Sequence, residues 1–431
     1  MRGAAMSVPG ALRSLAHRPD TLLVGSNALG LALGLVSAAV QARILGPEGR
    51  GEIAVALVPG TMLGMLLSFG LPDYFGRRAA QGRPLGDAAA AAAGFAVLIG
   101  AVCALPYSLF VHGHTDAGST ARLLLVAYAL VSPVLVYGYC VTGAVAGADR
   151  WRAVAAARFV PQAVTLVGLV VLVGVGPSPL SVGMLLVGTT LLGTLLPGLL
   201  ARVRPRGRLR REEIRPALAF GLGGWLAGAL ALLNQRADLL LLTVLASVAD
   251  LGLYAVATTL AAVLNAIAVS VAMPVRNRVV RGEVALAPAA SAVTGAVVLV
   301  VAGVVALALP VLVPLVLGDS FLPAQGAMVV LLGAQVPLAC IVVLTQCLVA
   351  VGKPGAPLLG ELAALVTTVA LVLAVYPVGG IEGAAASAFA GRVVSLSVLL
   401  VLVRRHVTTA PVWRFVVPTR SGVVQMRGAA T

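Results

Sequence analysis

The sequence predicts an all-α polytopic membrane protein, with about twelve transmembrane helices arranged as two six-helix lobes around a central cavity. Three observations predict it. Hydrophobic residues make up 60% of the 431-residue chain and charged residues only 10%, and its mean hydropathy is +1.04. A soluble protein of that composition has too little polar surface to cover itself. Apolar stretches of the roughly 20 residues needed to cross a bilayer recur along the chain, separated by short polar joints. Arginines collect in every second joint, the asymmetry that places basic loops in the cytoplasm.

In order, the apolar segments are Thr21–Ala42, Ile53–Tyr74, Ala88–Val111, Ala121–Ala146, Val154–Val175 and Leu180–Leu200. A second set follows: Pro216–Ala246, Leu251–Val275, Ala289–Leu317, Ala327–Val351, Pro357–Val375 and Glu382–Val403. The first segment is longer than a signal-peptide core of roughly 7–15 residues and reads as a retained helix. With the N-terminus inside, the cytoplasmic joints hold Arg2, Arg13, Arg18, Arg77, Arg78, Arg83, Arg150, Arg152 and Arg158. They continue with seven arginines from Arg202 to Arg215, then Arg276, Arg278, Arg281, Lys353 and the tail from Arg404. The outer joints hold only Arg43, Arg50 and Arg122. Both termini are therefore expected in the cytoplasm.

The most basic joint divides the chain into an N-terminal lobe (1–201), a cytoplasmic linker (202–215), a C-terminal lobe (216–405) and a cytoplasmic tail (406–431). Pro205 and Gly207 interrupt helix formation in the linker. A shift of 201 positions lays Gly51, Ala54 and Val55 on Gly252, Ala255 and Val256, a faint echo of two parallel repeats. Small residues four apart (Gly30/Gly34, Gly60/Gly64, Gly143/Gly147, Gly224/Gly228, Gly383/Ser387/Gly391) read as faces for close helix packing in lipid.

The net charge of +15 is spread over many joints and forms no single stripe, so lipid headgroups and not nucleic acid are the expected partner. Cys103, Cys140, Cys340 and Cys347 lie in apolar stretches without metal spacing and read as packing residues. His112 and His114 form an isolated pair in an outer joint, and Gly46–Gly51 lacks the lysine of a phosphate loop. No metal, cofactor or catalytic constellation is expected, and the outer joints are too short for an enzymatic domain.

Charged groups inside a bilayer are expensive and mark function or pairing. The seventh segment carries Asn234, Gln235, Arg236 and Asp238. Asn234 and Asp238 share a helix face, while Arg236 diverges from both by roughly 200°. Arg392 falls near mid-membrane, roughly 15 Å along its helix from Glu382, and is a candidate cavity cation. Asn27 and Arg43 on the first segment, Asn265 on the eighth and Gln346 on the tenth are further cavity candidates. Asp238, Glu361 and Glu382 are candidates for a coupling proton or sodium ion, with structural salt bridges as the alternative.

Three stretches carry a resemblance. They are Ala42-Arg43-Ile44-Leu45-Gly46-Pro47-Glu48-Gly49-Arg50-Gly51-Glu52-Ile53-Ala54, Phe69-Gly70-Leu71-Pro72-Asp73, and Ala237-Asp238-Leu239-Leu240-Leu241 with Asp250-Leu251-Gly252-Leu253-Tyr254-Ala255-Val256-Ala257. They resemble the oligosaccharide flippases, the polysaccharide-exporting branch of the multidrug/oligosaccharidyl-lipid/polysaccharide exporter superfamily. The resemblance implies a bacterial plasma-membrane protein that moves an undecaprenyl-pyrophosphate-linked oligosaccharide across the membrane by alternating access. Glycosyltransferases or a glycan polymerase are the partners it implies. On that reading Arg236 and Arg392 contact phosphate, and Asn234, Asn265 and Gln346 contact sugar. A multidrug or small-molecule exporter and a lipid-linked peptidoglycan precursor flippase are the alternatives within the superfamily. The latter usually has two further helices. Outside it stand a membrane glycan enzyme and a scaffold acting through the basic linker.

Overall fold

The computed structural model describes residues 19–100, 119–206 and 211–419. Arg2, Arg13, Arg18, Cys103, His112, His114, Arg208, Arg210, Arg420 and Arg427 lie outside them, as does the end of the third expected helix. The described residues form helices without strands. Nine of those helices are long and apolar enough to cross a membrane.

Two compact units are present, Met1–Gln41 with Val55–Leu226, and Ala42–Ala54 with Ala227–Thr431. The helices run α1 (Pro19–Leu66), α2 (Leu71–Ala80), α3 (Leu85–Ile99), α4 (Ser119–Gly147), α5 (Trp151–Val175), α6 (Pro179–Leu200) and α7 (Arg211–Leu245). Then follow α8 (Val248–Ala262), α9 (Asn265–Val280), α10 (Leu286–Leu312), α11 (Gln325–Ala350) and α12 (Pro357–His406). A π-turn (Val313–Leu317) and a 3-10 turn (Asp319–Ala324) link α10 to α11.

The joints expected after Ala42 and before Glu382 contract to single-residue breaks. Helix α1 runs over 48 residues and α12 over 50, each as two helical halves of about 30–40 Å, and each half is long enough to cross a hydrocarbon core of about 30 Å. Each is interrupted at one glycine, Gly46 (φ 65°, ψ −176°) and Gly380 (φ 53°, ψ −143°). That backbone region is open essentially to glycine alone. Continuing the helix on both sides of the break keeps backbone N–H and C=O groups paired, which a longer irregular turn would not.

The second expected segment of each half is itself broken. Helix α1 stops at Leu66, and α2 restarts after Phe69 and Gly70, both at positive φ (46° and 70°). The Trp225 indole N–H donates at 2.8 Å to the Leu66 carbonyl, which also accepts from Phe69 N–H at 3.3 Å; the indole ring lies 5.2 Å from that of Phe69, and Ser68 Oγ donates to Met65 O at 2.7 Å. Between α8 and α9 the chain tightens at Val263 and Leu264, with Leu264 N–H bonded to Ala261 O and Ala266 N–H to Val263 O, both at 3.2 Å.

In the first unit α4 is the hub, packed on α2, α3 and α6. Its glycines admit close neighbours: Gly143 meets the backbone of Pro72 and Gly147 that of Gly76. Leu71, Phe75, Phe95, Val136 and Cys140 fill the space between α2, α3 and α4. In the second unit α11 is the hub, packed on α8, α9, α10 and α12. Cys140, Cys340 and Cys347 are buried free thiols.

Residues 42–54 join the second unit through two glycines. The backbone of Gly51 lies against Val248, and that of Gly252 against Pro47 and Gly51 itself. These are the two glycines that the 201-residue shift superposes.

Candidate functional site

The densest intramembrane polar group lies in the second unit, on α7, α8 and the two halves of α12. Asp238 is buried at 4% exposure. Its Oδ2 accepts a hydrogen bond from the Tyr254 hydroxyl at 2.5 Å and its Oδ1 one from the Leu239 backbone N–H at 2.8 Å. One turn earlier, Asn234 Nδ2 donates to Glu361 Oε2 at 2.6 Å. Helical spacing puts Asn234 and Asp238 on one face of α7, and each finds a partner from another element. The halves of α12 pack through Gly391 against Ala364 and Thr368, and through Gly360 against Ser395. That contact carries Arg392 into electrostatic range of Asp238, Tyr254 and Glu361. Its Nη1 is buried without a hydrogen-bond partner among the described residues.

Four of the sequence-derived candidates, Asn234, Asp238, Glu361 and Arg392, thus come together. Tyr254 completes the group. Its separation of 16 residues from Asp238 hides this contact from the sequence.

The other candidates lie elsewhere. Arg236 and its neighbour Gln235 are exposed, as is Arg43. Glu382 is exposed and its carboxylate sits against Gly326 in the first turn of α11, where a negative charge complements the helix dipole. Asn265 begins α9 at the break, and its Oδ1 is buried without a hydrogen-bond partner among the described residues, as are Gln346 Oε1 and Gln335 Oε1 on α11. Such unsatisfied acceptors in apolar surroundings call for a hydrogen-bonding occupant. In the first unit Asn27 accepts a short hydrogen bond from Arg158 Nη1. Gly30 and Gly34 let α1 approach α5 closely there, against the Arg158 backbone and the Gln162 side chain. Arg158, expected in a cytoplasmic joint, is therefore part of a helical pair. Arg50, expected in an outer joint, is buried at 7% exposure.

A profile of the polysaccharide biosynthesis protein family matches residues 21–277. No curated protein matches the chain. Among solved structures, the chain is similar to a lipid II flippase MurJ in an inward closed conformation, at 11% identity and TM-score 0.77, covering 94% of this chain and 92% of that one. It is also similar to a multidrug resistance MATE family transporter of the MOP superfamily in an inward-facing conformation, at 15% identity and TM-score 0.67, covering 88% and 94%. A eukaryotic MATE transporter, AtDTX14, matches at 14% identity and TM-score 0.61 over 97% and 99%. These likenesses establish the fold. The family profile spans more than half of the sequence, and the chain is a multi-pass membrane protein belonging to the polysaccharide biosynthesis protein family.

Proposed function

We propose that the protein moves a polyprenyl-pyrophosphate-linked oligosaccharide from the cytoplasmic to the outer leaflet of a bacterial plasma membrane by alternating access, with both termini cytoplasmic. The observation that carries this reading is Arg392, a guanidinium within a span whose buried Nη1 has no hydrogen-bond partner among the described residues. Arginine binds phosphate oxygens through a planar, permanently charged fork, and an unsatisfied donor there matches an anionic headgroup. The orphaned amide oxygens of Asn265 and Gln346 suit sugar hydroxyls. Arg236 supplies a second, exposed cation on α7.

Of the three acidic candidates, Glu361 suits ion coupling best. Both Asp238 oxygens already accept hydrogen bonds, and Glu382 is seated on α11. Glu361 receives one bond, from a neutral amide, and faces Arg392. Binding or release of a proton there changes how strongly Arg392 is held, and so how freely it engages a phosphate.

The test is reconstitution in liposomes with a lipid-linked oligosaccharide and a leaflet-accessibility readout. Arg392→Ala should abolish translocation with normal protein levels, and Arg392→Lys should restore part of it. Unchanged translocation in Arg392→Ala refutes the site. A second reading, export of a cationic small molecule, is favoured by one feature: the cluster holds two carboxylates against one guanidinium. Drug efflux without movement of any lipid-linked glycan, lost in Glu361→Gln, would establish it.

A further inference from the structure

A separate cleft opens at one end of the first unit. It has a volume of about 250 Å³ and is lined by Pro84, Leu85, Gly86, Asp87, Arg150 and the segment Ala201–Arg204 with Arg206. Four arginines therefore face one carboxylate. None of the four guanidinium groups has a hydrogen-bond or ion-pair partner among the described residues. Four like charges around a hollow repel one another and are stabilised when an anion enters.

The backbone around the cleft is fixed. The Arg206 N–H donates to Gly86 O at 3.0 Å. A Cβ on Gly86 would meet Arg204 O at 2.9 Å, so the arginine segment lies directly on the start of α3. Helix α6 ends in a six-to-one turn in which Val203 N–H bonds Gly198 O at 2.9 Å and Arg202 N–H bonds Leu199 O at 3.0 Å. That turn needs a left-handed residue, usually glycine. Helices α2, α9 and α11 use glycine at this position, with Gly82 at φ 84°, Gly282 at 97° and Gly352 at 78°. Helix α4 uses Asp149, at φ 56°, a residue type that tolerates this region, and α6 uses Arg202, at φ 50°. An arginine held in a conformation that glycine adopts without strain points to a task for its side chain.

We propose that this cleft binds the phosphate of an anionic membrane-lipid headgroup. The chemistry recognised is a phosphodiester or pyrophosphate, clasped by Arg150, Arg202, Arg204 and Arg206. A membrane lipid is the source because the cleft lies where α3 begins and α4 and α6 end. Those are the ends of apolar helices, the level at which headgroups sit. The site is distinct from the α7–α8–α12 cluster and stands whether or not that cluster carries an oligosaccharide headgroup.

The test uses the purified full chain in neutral detergent. Native mass spectrometry and thermal unfolding are recorded with phosphatidylglycerol, phosphatidylcholine or inorganic pyrophosphate added. The wild type should retain phosphatidylglycerol over phosphatidylcholine and be stabilised by it. Each of Arg150→Gln, Arg204→Gln and Arg202→Gly should weaken retention about fivefold. Arg202→Gly separates binding from folding. Glycine suits the turn, so without lipid this variant should unfold no earlier than the wild type. Equal retention of the two lipids, or variants that hold phosphatidylglycerol as the wild type does, overturns the proposal. Stabilisation by pyrophosphate alone, with no preference for phosphatidylglycerol, overturns the lipid as occupant.

Discussion

Replacing Gly51 by alanine should destabilise the second unit through a single methyl group. The new Cβ would lie 2.6 Å from the Val248 carbonyl carbon and 2.8 Å from its Cγ1. Ordinary carbon contacts need about 3.5–4.0 Å, and the Val248 carbonyl oxygen lies closer still, so the two backbones must separate by more than about 1 Å. Two of the three atoms met, the Val248 carbonyl oxygen and carbon, are backbone and cannot rotate away. Overpacking of this kind costs about 1–3 kcal/mol. Gly252→Ala should act in the same direction, since its Cβ would meet Gly51 N and the Pro47 carbonyl carbon at 2.8 Å each. The contrast is Gly303→Ala on α10, where nothing lies within 4 Å. There the helix gains about 0.5–1 kcal/mol from losing a glycine. Titration with a denaturing detergent, followed by circular dichroism, measures all three. Gly51→Ala unfolding at the wild-type midpoint, or Gly303→Ala falling as far as Gly51→Ala, would refute the argument.

Tyr254→Phe removes a 2.5 Å hydrogen bond to a buried carboxylate and should cost about 1.5–3 kcal/mol in the same titration. Gly46→Ala and Gly380→Ala force a side chain into glycine-only backbone regions and should each cost about 1–3 kcal/mol; a neutral result would mean the helices cross those points without a break. Glu283 lies in the turn between α9 and α10, and its hydrogen bond from Arg278 holds its carboxyl below the usual carboxylate range. A depressed carboxylate stabilises the fold above its unfolded pKa of about 4.3, and that contribution is lost as pH falls through the lowered folded value. Glu283→Gln should therefore flatten the acid side of a stability–pH curve, by a small amount because the pair is exposed.

Short sequence motifs carried the family resemblance, while apolar segment length and composition were enough to determine the membrane class and the helical fold, because a bilayer imposes those requirements on any spanning segment. The helix-packing role of Gly30, Gly34, Gly143, Gly147 and Gly391 was legible for the same reason: close approach in lipid needs a missing side chain at regular spacing. The breaks within the second segments were not. Leu67-Ser68-Phe69-Gly70 and Val263-Leu264 remain largely apolar, so hydropathy runs through them unchanged. The first break is satisfied by Trp225, 159 residues further along. The polar site divides in the same way. Residue type singled out Asp238, Glu361 and Arg392 as costly in a membrane. Only tertiary packing decided that Tyr254 holds Asp238 and that Asn234 holds Glu361. It also brought Arg392 to them while leaving Arg236, two positions from Asp238, exposed. A one-dimensional pattern records the cost of a buried charge, and the partner that meets that cost comes from a different helix.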